Sequence, residues 1–203
     1  TWHLTLNGTM SHGAFPHLGN DAVLMAAEAI QALQAIRSRR INPVKPFVLS
    51  VGTIHGGLRH NIIANKVQLS GTMRSFEPAV RERAIALIQE TLKGVCAIHG
   101  GSYDFRIEAG SNPPVDNDPR LAAAVRPLLA GLGPVADYGP VMGAEDFALY
   151  QRKVAGFFLF LGTGKPGRVG GNHTPTMNLD EDALPLGVAA LTAMAWGHAD
   201  LGQ

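Results

Sequence analysis

The sequence carries a few short stretches whose polar side chains could do chemistry, and the first is the connection Gly8–His17. Two histidines, His12 and His17, lie there between a strand-like pattern and a long amphipathic helix. Side chains on a connection rich in Gly and Pro can point at a ligand instead of into a core. An imidazole can exchange a proton near neutral pH, although a solvated loop histidine is the commoner outcome. His12 is therefore a candidate whose importance depends on its neighbours.

Three further candidates lie near the ends of strand-like segments. Asn61 follows a glycine-rich link and offers both a hydrogen-bond donor and an acceptor, and Arg74 ends a strand pattern with a guanidinium fork that suits a carboxylate. His173 lies in a glycine-rich loop beyond an apolar run, where a neutral imidazole can ligate a metal ion. A single histidine does not make a metal site, and strand-end arginines are mostly solvated. Taken singly, these residues do not identify an activity.

Two other motifs have simpler explanations. Residues 162–167 match G-x-G-x-x-G after an apolar run, but Pro166 intrudes and no helix opens at the third glycine, so a dinucleotide site is rejected. The spacing before Lys165 also excludes a phosphate-binding P-loop. Glu145 and Asp146 fall where a loop meets a short predicted helix, and both helix capping and a role near the site stay open.

The composition excludes several classes of partner. The chain has 203 residues and a net charge of +1, so no positive field favours nucleic acid and no basic run marks a membrane face. No stretch reaches the roughly 18 apolar residues of a spanning helix, and no signal peptide is visible, which predicts a cytoplasmic protein. The single Cys96 excludes an intrachain disulfide and is predicted to be an inert buried thiol.

The first half of the chain predicts the element order β-α-β-β-α-β. The first helix is predicted to begin after a cap at Asn20 or Asp21, and the second after a cap at Ser75. The four predicted strands are Thr1–Asn7, Phe47–Ile54, Lys66–Arg74 and Tyr103–Ile107. This order is the ferredoxin-like plan, with four antiparallel strands and two helices on one face. The other face is polar on at least the third and fourth strands, and such a face, or an edge strand, often pairs with another chain.

The second half predicts helices over Asp118–Leu132 and Ala144–Arg152 and a final helix opened by acidic residues 180–182. The apolar run Gly156–Gly162 is predicted to be a strand buried on both faces of an α/β sheet. About 90 residues with one clear strand cannot bury a sufficient core. The fold class is therefore α/β: an α+β ferredoxin-like domain at residues 1–112, then at 113–203 the C-terminal part of a larger α/β domain. Because the chain starts at Thr1 inside a strand pattern, we expect it to be part of a longer protein.

Six motifs occur in the order in which one known superfamily has them. They are Ser11–His17, Val51–Gly57, His60–Ile63, Gly71–Arg74, Met142–Phe147 and His173–Pro175. On these motifs the chain resembles the binuclear-metal amidohydrolases, a superfamily that includes aminoacylase, carboxypeptidase G, hippurate hydrolase and indole-acetyl-amino-acid hydrolase. The resemblance extends over nearly the whole chain.

The resemblance implies that residues 1–112 are a lid and dimerisation domain inserted in a metal-binding, Zn-peptidase-like α/β domain, and that the protein is a homodimer. It implies that His12 crosses to the partner subunit and polarises the scissile carbonyl. Asn61 and Arg74 would hold the substrate, with Arg74 on its carboxylate, and His173 would be the last metal ligand. The implied reaction is hydrolysis of an N-acyl amino acid, hippurate-like or related, by a water bridging two divalent ions (Zn, Mn, Co or Ni), with a glutamate as base.

The departures from the superfamily pattern limit this expectation. The remaining metal ligands and the base lie upstream of the lid in the superfamily and have no counterpart here, so this chain alone is expected to be inactive while its parent protein is a hydrolase. A proline of the superfamily is replaced by Ala64, which is expected to loosen that turn. Phe15 and the apolar lid suggest an aromatic or aliphatic acyl group. A non-catalytic dimerisation or ligand-binding module remains the alternative, and a generic ferredoxin-like binding protein is less favoured.

Overall fold

The computed structural model of the protein describes residues 1–108, 112–164, 167 and 170–201, with side chains described as far as Gly197. The chain divides into two compact units, which are Thr1–Pro114 (unit 1) and Val115–Gln203 (unit 2). No helix among the described residues is both long enough and apolar enough to span a membrane.

Unit 1 is built on an antiparallel sheet with two long helices. In chain order its elements are β1 (Trp2–Asn7), β2 (Ser11–His12), α1 (Ala22–Ala35), β3 (Phe47–Gly56), β4 (Ile62–Ile63), β5 (Lys66–Ser75), α2 (Pro78–His99) and β6 (Ser102–Ile107). The sheet order is β3-β5-β1-β6, and all three neighbouring pairs are antiparallel. This arrangement confirms the predicted ferredoxin-like plan. The short pair of β2 with β4 forms a separate two-stranded ribbon that the periodicity did not predict.

Alternation along the strands decides which face of the sheet is covered. In β1, Trp2, Leu4 and Leu6 are buried, while the residues between them are only half-buried. Because side chains alternate along a strand, one face collects the apolar residues and the other the polar ones. Helices α1 and α2 complete this core with side chains at helical spacing, among them Met25, Ala29, Leu33, Ala84, Leu87, Ile88 and Leu92.

Local hydrogen bonds explain where the helices of unit 1 begin and end. The Asp21 carboxylate accepts from the backbone N–H groups of Val23 and Leu24, which caps α1. The prediction of Ser75 as the cap of α2 is wrong. Ser75 is the last residue of β5 and Glu77 precedes the helix, because Pro78 fixes a helical φ only from its own position onward. Helix α2 ends at Gly100, whose φ of 67° is left-handed.

Unit 2 contains three α-helices among its described residues: α3 (Pro119–Ala130), α4 (Phe147–Gln151) and α5 (Leu184–Leu201), the last preceded by a 3-10 turn at Glu181–Ala183. Asp118 caps α3 as predicted, since its carboxylate accepts from the N–H groups of Arg120 and Leu121.

The predicted strand at Gly156–Gly162 is not a strand in the part of the chain that the structure describes. The amide of Asn117 hydrogen-bonds both the N–H and the carbonyl of Phe158, at 2.8 Å each. A strand requires a neighbouring strand to complete its ladder, and no described residue of unit 2 supplies one. Phe160 is 61% exposed, so the expectation of a segment buried on both faces is also wrong here.

Candidate active site

The ribbon formed by β2 and β4 brings two of the predicted site residues together. His12 pairs with Ile62, and the N–H of Gly13 donates to the carbonyl of Asn61 at 2.8 Å. A Cβ at position 13 would lie 3.1 Å from the Asn61 carbonyl carbon and oxygen, so this close approach of the two backbones favours glycine. His12 and Asn61 therefore leave opposite strands of one small ribbon, and both are exposed.

The turn after β2 determines which nitrogen of His12 faces outward. The backbone N–H of Ala14 donates to Nδ1 of His12 at 3.0 Å. An Nδ1 that accepts a hydrogen bond carries no proton, so the neutral ring carries its proton on Nε2. The exposed ring can then donate from Nε2 to an oxygen of a ligand.

Phe15 is the third side chain of the same turn. Its backbone N–H donates to the carbonyl of His12 at 2.8 Å, which closes the turn. Its ring centroid lies 5.8 Å from that of His12 and 6.4 Å from that of His17, and the side chain is 53% exposed. The Phe15 ring is therefore close to two imidazoles, and part of its surface is open to solvent.

Arg74 comes from the opposite end of the sheet. It is the penultimate residue of β5, opposite Val48 of β3, and its Nη1 donates weakly to the carbonyl of Met73 at 3.4 Å. Between Lys66 and Arg74 the strand rises about 26 Å, at roughly 3.3 Å per residue. Asn61 precedes the start of that strand. Within one protomer, the structure therefore separates Arg74 from the His12–Asn61 ribbon.

His173 lies in unit 2, in an exposed loop. Its φ of 65° is left-handed, which a residue with a Cβ adopts at a cost of about 1–2 kcal/mol. The neighbouring turn is closed by the hydroxyl of Thr174, which donates to the carbonyl of Gly171 at 2.8 Å. Strained backbone of this kind is concentrated at functional sites.

The described residues do not by themselves fit a metal centre. Among them, no group of three or more His, Cys, Asp or Glu side chains converges on a point that a metal ion could occupy. His173 supplies one imidazole, whereas a bound divalent ion needs three or four protein ligands. A metal at His173 would therefore require ligands from outside the described part of this chain.

Glu145 acts as a local cap in the structure. Its Oε1 accepts from the backbone N–H of Phe147, the first residue of α4, at 3.3 Å. Asp146 makes no side-chain cap to that helix. Of the two alternatives left open by the sequence, this contact favours helix capping for Glu145.

The pKa values of Asp118 and Cys96 are shifted from their ordinary values, and both side chains have a structural role. The guanidinium of Arg120, followed by the backbone N–H of Leu121, holds the pKa of the Asp118 carboxyl below its ordinary value. Burial raises the pKa of the Cys96 thiol, which agrees with the predicted inert thiol in the core of unit 1.

Comparison with known proteins agrees with this architecture. Residues 1–100 match the family profile described as "Peptidase dimerisation domain". Thermostable carboxypeptidase 2 of Saccharolobus solfataricus is 33% identical over 194 residues, which cover 95% of this chain and 49% of that protein. N-acetyldiaminopimelate deacetylase of Leuconostoc mesenteroides is 33% identical over 190 residues, covering 93% of this chain and 49% of that protein.

A solved structure shows the same fold. The crystal structure of Bacillus subtilis YxeP, described as a dinuclear metal binding peptidase of the M20 family, matches with a TM-score of 0.68 and 26% identity, over 96% of this chain and 48% of that one. The predicted resemblance to the binuclear-metal amidohydrolases is therefore confirmed: residues 1–100 match the dimerisation domain of the M20 peptidases, and the proteins similar to the chain include metallopeptidases and amidohydrolases of this kind. It spans about half the length of the curated relatives it matches.

Proposed function

We propose that the protein to which this chain belongs hydrolyses the amide bond of an N-acyl amino acid, with His12 as the group that polarises the carbonyl. The observation that carries the proposal is the exposed His12 ring whose Nδ1 accepts from Ala14, which leaves an Nε2–H for the carbonyl oxygen. A donor aimed at the oxygen on which negative charge develops stabilises the transition state of acyl transfer. The relatives, which are carboxypeptidases and deacetylases by name, support this class of reaction.

The separation of Arg74 from the ribbon supports a site shared between two protomers. A small N-acyl amino acid is far shorter than the strand that separates Arg74 from Asn61. In our proposal His12 and Asn61 of one protomer therefore meet the substrate on the partner, where Arg74 of that other protomer binds the carboxylate through its guanidinium fork. The matching dimerisation profile supports a homodimer formed through unit 1.

The proposal also assigns a role to each part of the chain. Residues 1–112 would be the lid and dimerisation domain, and residues 113–203 would be the C-terminal part of the metal-binding α/β domain. His173 would contribute one ligand to a pair of divalent ions, of which Zn, Mn, Co and Ni all suit mixed imidazole and carboxylate ligands. Bound metal supplies an activated water, and no residue described in this chain replaces that function. We therefore expect the isolated chain to be inactive.

A non-catalytic dimerisation or ligand-binding module is the second candidate function. The observation that favours it is the core of unit 1, whose buried apolar side chains all come from the strands, helices and connections of that unit. A cytoplasmic location is part of the first proposal, and the buried free thiol of Cys96 suits a reducing compartment.

The test compares the 203-residue chain with a protein extended by its upstream coding sequence. Each is assayed with N-acetyl and N-benzoyl amino acids in the presence of each of the four metal ions. We expect hydrolysis only by the extended protein, and we expect His12→Ala to lower its kcat by about 100-fold or more. His17→Ala is the matched control, since this imidazole lies on the same turn, and we expect it to change kcat little.

Two results would contradict the proposal. If the extended protein binds metal but cleaves no N-acyl amino acid, the result would favour the second candidate function, a non-catalytic dimerisation or ligand-binding module. Metal-dependent turnover by the 203-residue chain alone would show that the ligands were wrongly assigned to the upstream part.

A further inference from the structure

We infer that the open face of the unit 1 sheet, which α1 and α2 leave uncovered, binds a tetrahedral oxoanion of the phosphate or phosphate-monoester class through Arg106 and His3. This face carries an open cavity of about 250 Å³, lined by polar side chains from all four strands β1, β3, β5 and β6. None of the lining residues belongs to the proposed active site, so binding there does not depend on the proposed hydrolysis.

Strand pairing determines which side chains share the open face. His3 of β1 is directly opposite Arg106 of β6 on one side and Ser70 of β5 on the other. Ser70 is in turn opposite Thr53 of β3, and the hydroxyls of these two residues are hydrogen-bonded at 2.6 Å. Because directly opposite residues project from the same face of a sheet, these four side chains form one row across it. The neighbouring row contains Thr5, Gln68 and His55.

A β-bulge at Gly52 brings two of these side chains to the open face. Val51 packs against the core, so regular alternation along β3 would also turn Thr53 and His55 toward the covered face. The register instead shifts between Val51 and Thr53, which reverses the alternation and places Thr53 opposite Ser70. Bulges that re-aim side chains in this way are over-represented next to functional sites. The irregularity of β3 therefore adds a hydroxyl and an imidazole to the cavity.

The positive charge in this cavity has no acidic partner. Arg106 makes no ion pair with any side chain that the structure describes. Asp104, two residues before it on β6, does not line the cavity, and its Oδ2 accepts from Nδ2 of Asn7 at 3.0 Å. Like charges directly opposite on neighbouring strands are unfavourable, so Arg106 and His3 repel whenever the imidazole is protonated. An anion bound between them replaces that repulsion with two attractions.

The available donors favour a tetrahedral oxoanion over a carboxylate or a metal ion. A guanidinium presents its N–H groups as a planar fork that matches two phosphate oxygens, and the imidazole and hydroxyl groups can reach the remaining oxygens, which a carboxylate does not have. A metal would need ligands closer together, because His3 and His55 lie on strands two steps apart, about 10 Å at roughly 4.8 Å per step. No group of three His, Cys, Asp or Glu side chains converges among the described residues.

The main experiment titrates the 203-residue chain with inorganic phosphate while sodium chloride keeps the ionic strength constant. The imidazole resonances of the histidines are followed by NMR. We expect the resonances of His3 and His55 to shift saturably, with a Kd of about 1 mM because the cavity is open to water. The exposed His17 lies outside the cavity and is the internal control, whose resonances should not follow the same curve.

Variants identify the groups that hold the anion. We expect Arg106→Ala to weaken phosphate binding about tenfold, the loss of one charge-assisted hydrogen bond, and Arg106→Lys to restore it only in part because the fork is missing. Arg83→Ala is the matched control, since it removes an equally exposed arginine from α2 and should leave the Kd unchanged. His3→Gln gives a second test that keeps the charge of Arg106, and it should also weaken binding. Circular dichroism verifies that each variant is folded.

Two further probes define the class of anion. Glycerol 3-phosphate that binds more tightly than inorganic phosphate would indicate a phosphorylated small molecule, and equal or weaker binding would indicate free phosphate, so either result supports the site. Acetate that binds as tightly as phosphate would overturn the assignment to a tetrahedral oxoanion. The site itself would be contradicted by the absence of saturable shifts at His3 and His55, or by equal losses of affinity in Arg106→Ala and Arg83→Ala.

Discussion

Units 1 and 2 differ in how many of their apolar side chains are buried. In unit 1 the sheet and two helices enclose a core with side chains such as Trp2, Leu6 and Leu87 at most 1% exposed. In the described part of unit 2 the buried residues are Val125, Ala148 and Ala190, and helix α5 leaves Leu191 and Trp196 66% and 78% exposed. Unit 1 therefore encloses a large apolar core of its own, while the described part of unit 2 buries few apolar residues and leaves several large apolar side chains exposed.

The predicted site residues divide along the same line. His12, Asn61 and Arg74 lie on unit 1, which holds them on strands and on a hydrogen-bonded ribbon. His173 lies on unit 2, in a loop with strained backbone and no cluster of further ligands among the described residues. The comparison teaches that the proposed substrate-holding groups are positioned by strands and a ribbon of unit 1, whereas the proposed metal ligand has no cluster of further ligands among the described residues.

The largest expected effect tests whether the two units really differ in packing. We expect Leu87→Ala in α2 to lower the free energy of unfolding by about 2–5 kcal/mol, because it leaves a cavity in a closed core. The matched change Leu191→Ala in α5 should alter it by less than about 0.5 kcal/mol. Urea unfolding monitored by circular dichroism measures both. Equal costs for the two variants would show that unit 2 buries its apolar residues as well as unit 1 does.

The two tryptophans give a sharper view of the same contrast, since Trp2 is 1% exposed and Trp196 is 78% exposed. In Trp196→Phe the remaining emission should be blue-shifted and poorly quenched by acrylamide. In Trp2→Phe it should be red-shifted and several-fold more strongly quenched. In the extended protein we expect Trp196 to become protected while Trp2 does not change. Continued exposure of Trp196 there would contradict the proposal that upstream chain completes unit 2.

The smallest expected effect concerns Cys96 in the core of unit 1. Burial raises the pKa of its thiol in the folded state, so its contribution to stability is full below the ordinary thiol pKa of about 8.5 and is lost as the pH rises through the folded value. The free energy of unfolding should therefore fall more steeply above this pH in the native protein than in Cys96→Ala. Parallel profiles for the two proteins would show that Cys96 is not in a closed core.

Much of unit 1 could be predicted because its elements depend on short-range patterns. The alternation of Trp2, Leu4 and Leu6 and the four-residue repeat along α2 are visible in the sequence, and each defines an apolar face. The exact ends of the helices and strands depend on local hydrogen bonds, and neighbouring residues can often make such bonds almost equally well. Of the two caps that the sequence allowed for α1, Asn20 and Asp21, the structure selects Asp21. The predicted cap Ser75 is wrong, because the strand β5 continues as far as that residue.

By itself, the sequence determined which residue types are available for chemistry. It also determined which faces are apolar in the four predicted strands and two predicted helices of unit 1, since these follow from composition and spacing along the chain. Only the tertiary structure decided that Asn61 lies across the ribbon from Gly13, beside His12, and that Arg74 leaves the far end of the separate four-stranded sheet. It also decided that Gly156–Gly162 is not a strand in the described chain. The physical reason is that strand pairing and register join residues distant in sequence, and no local pattern specifies the partner.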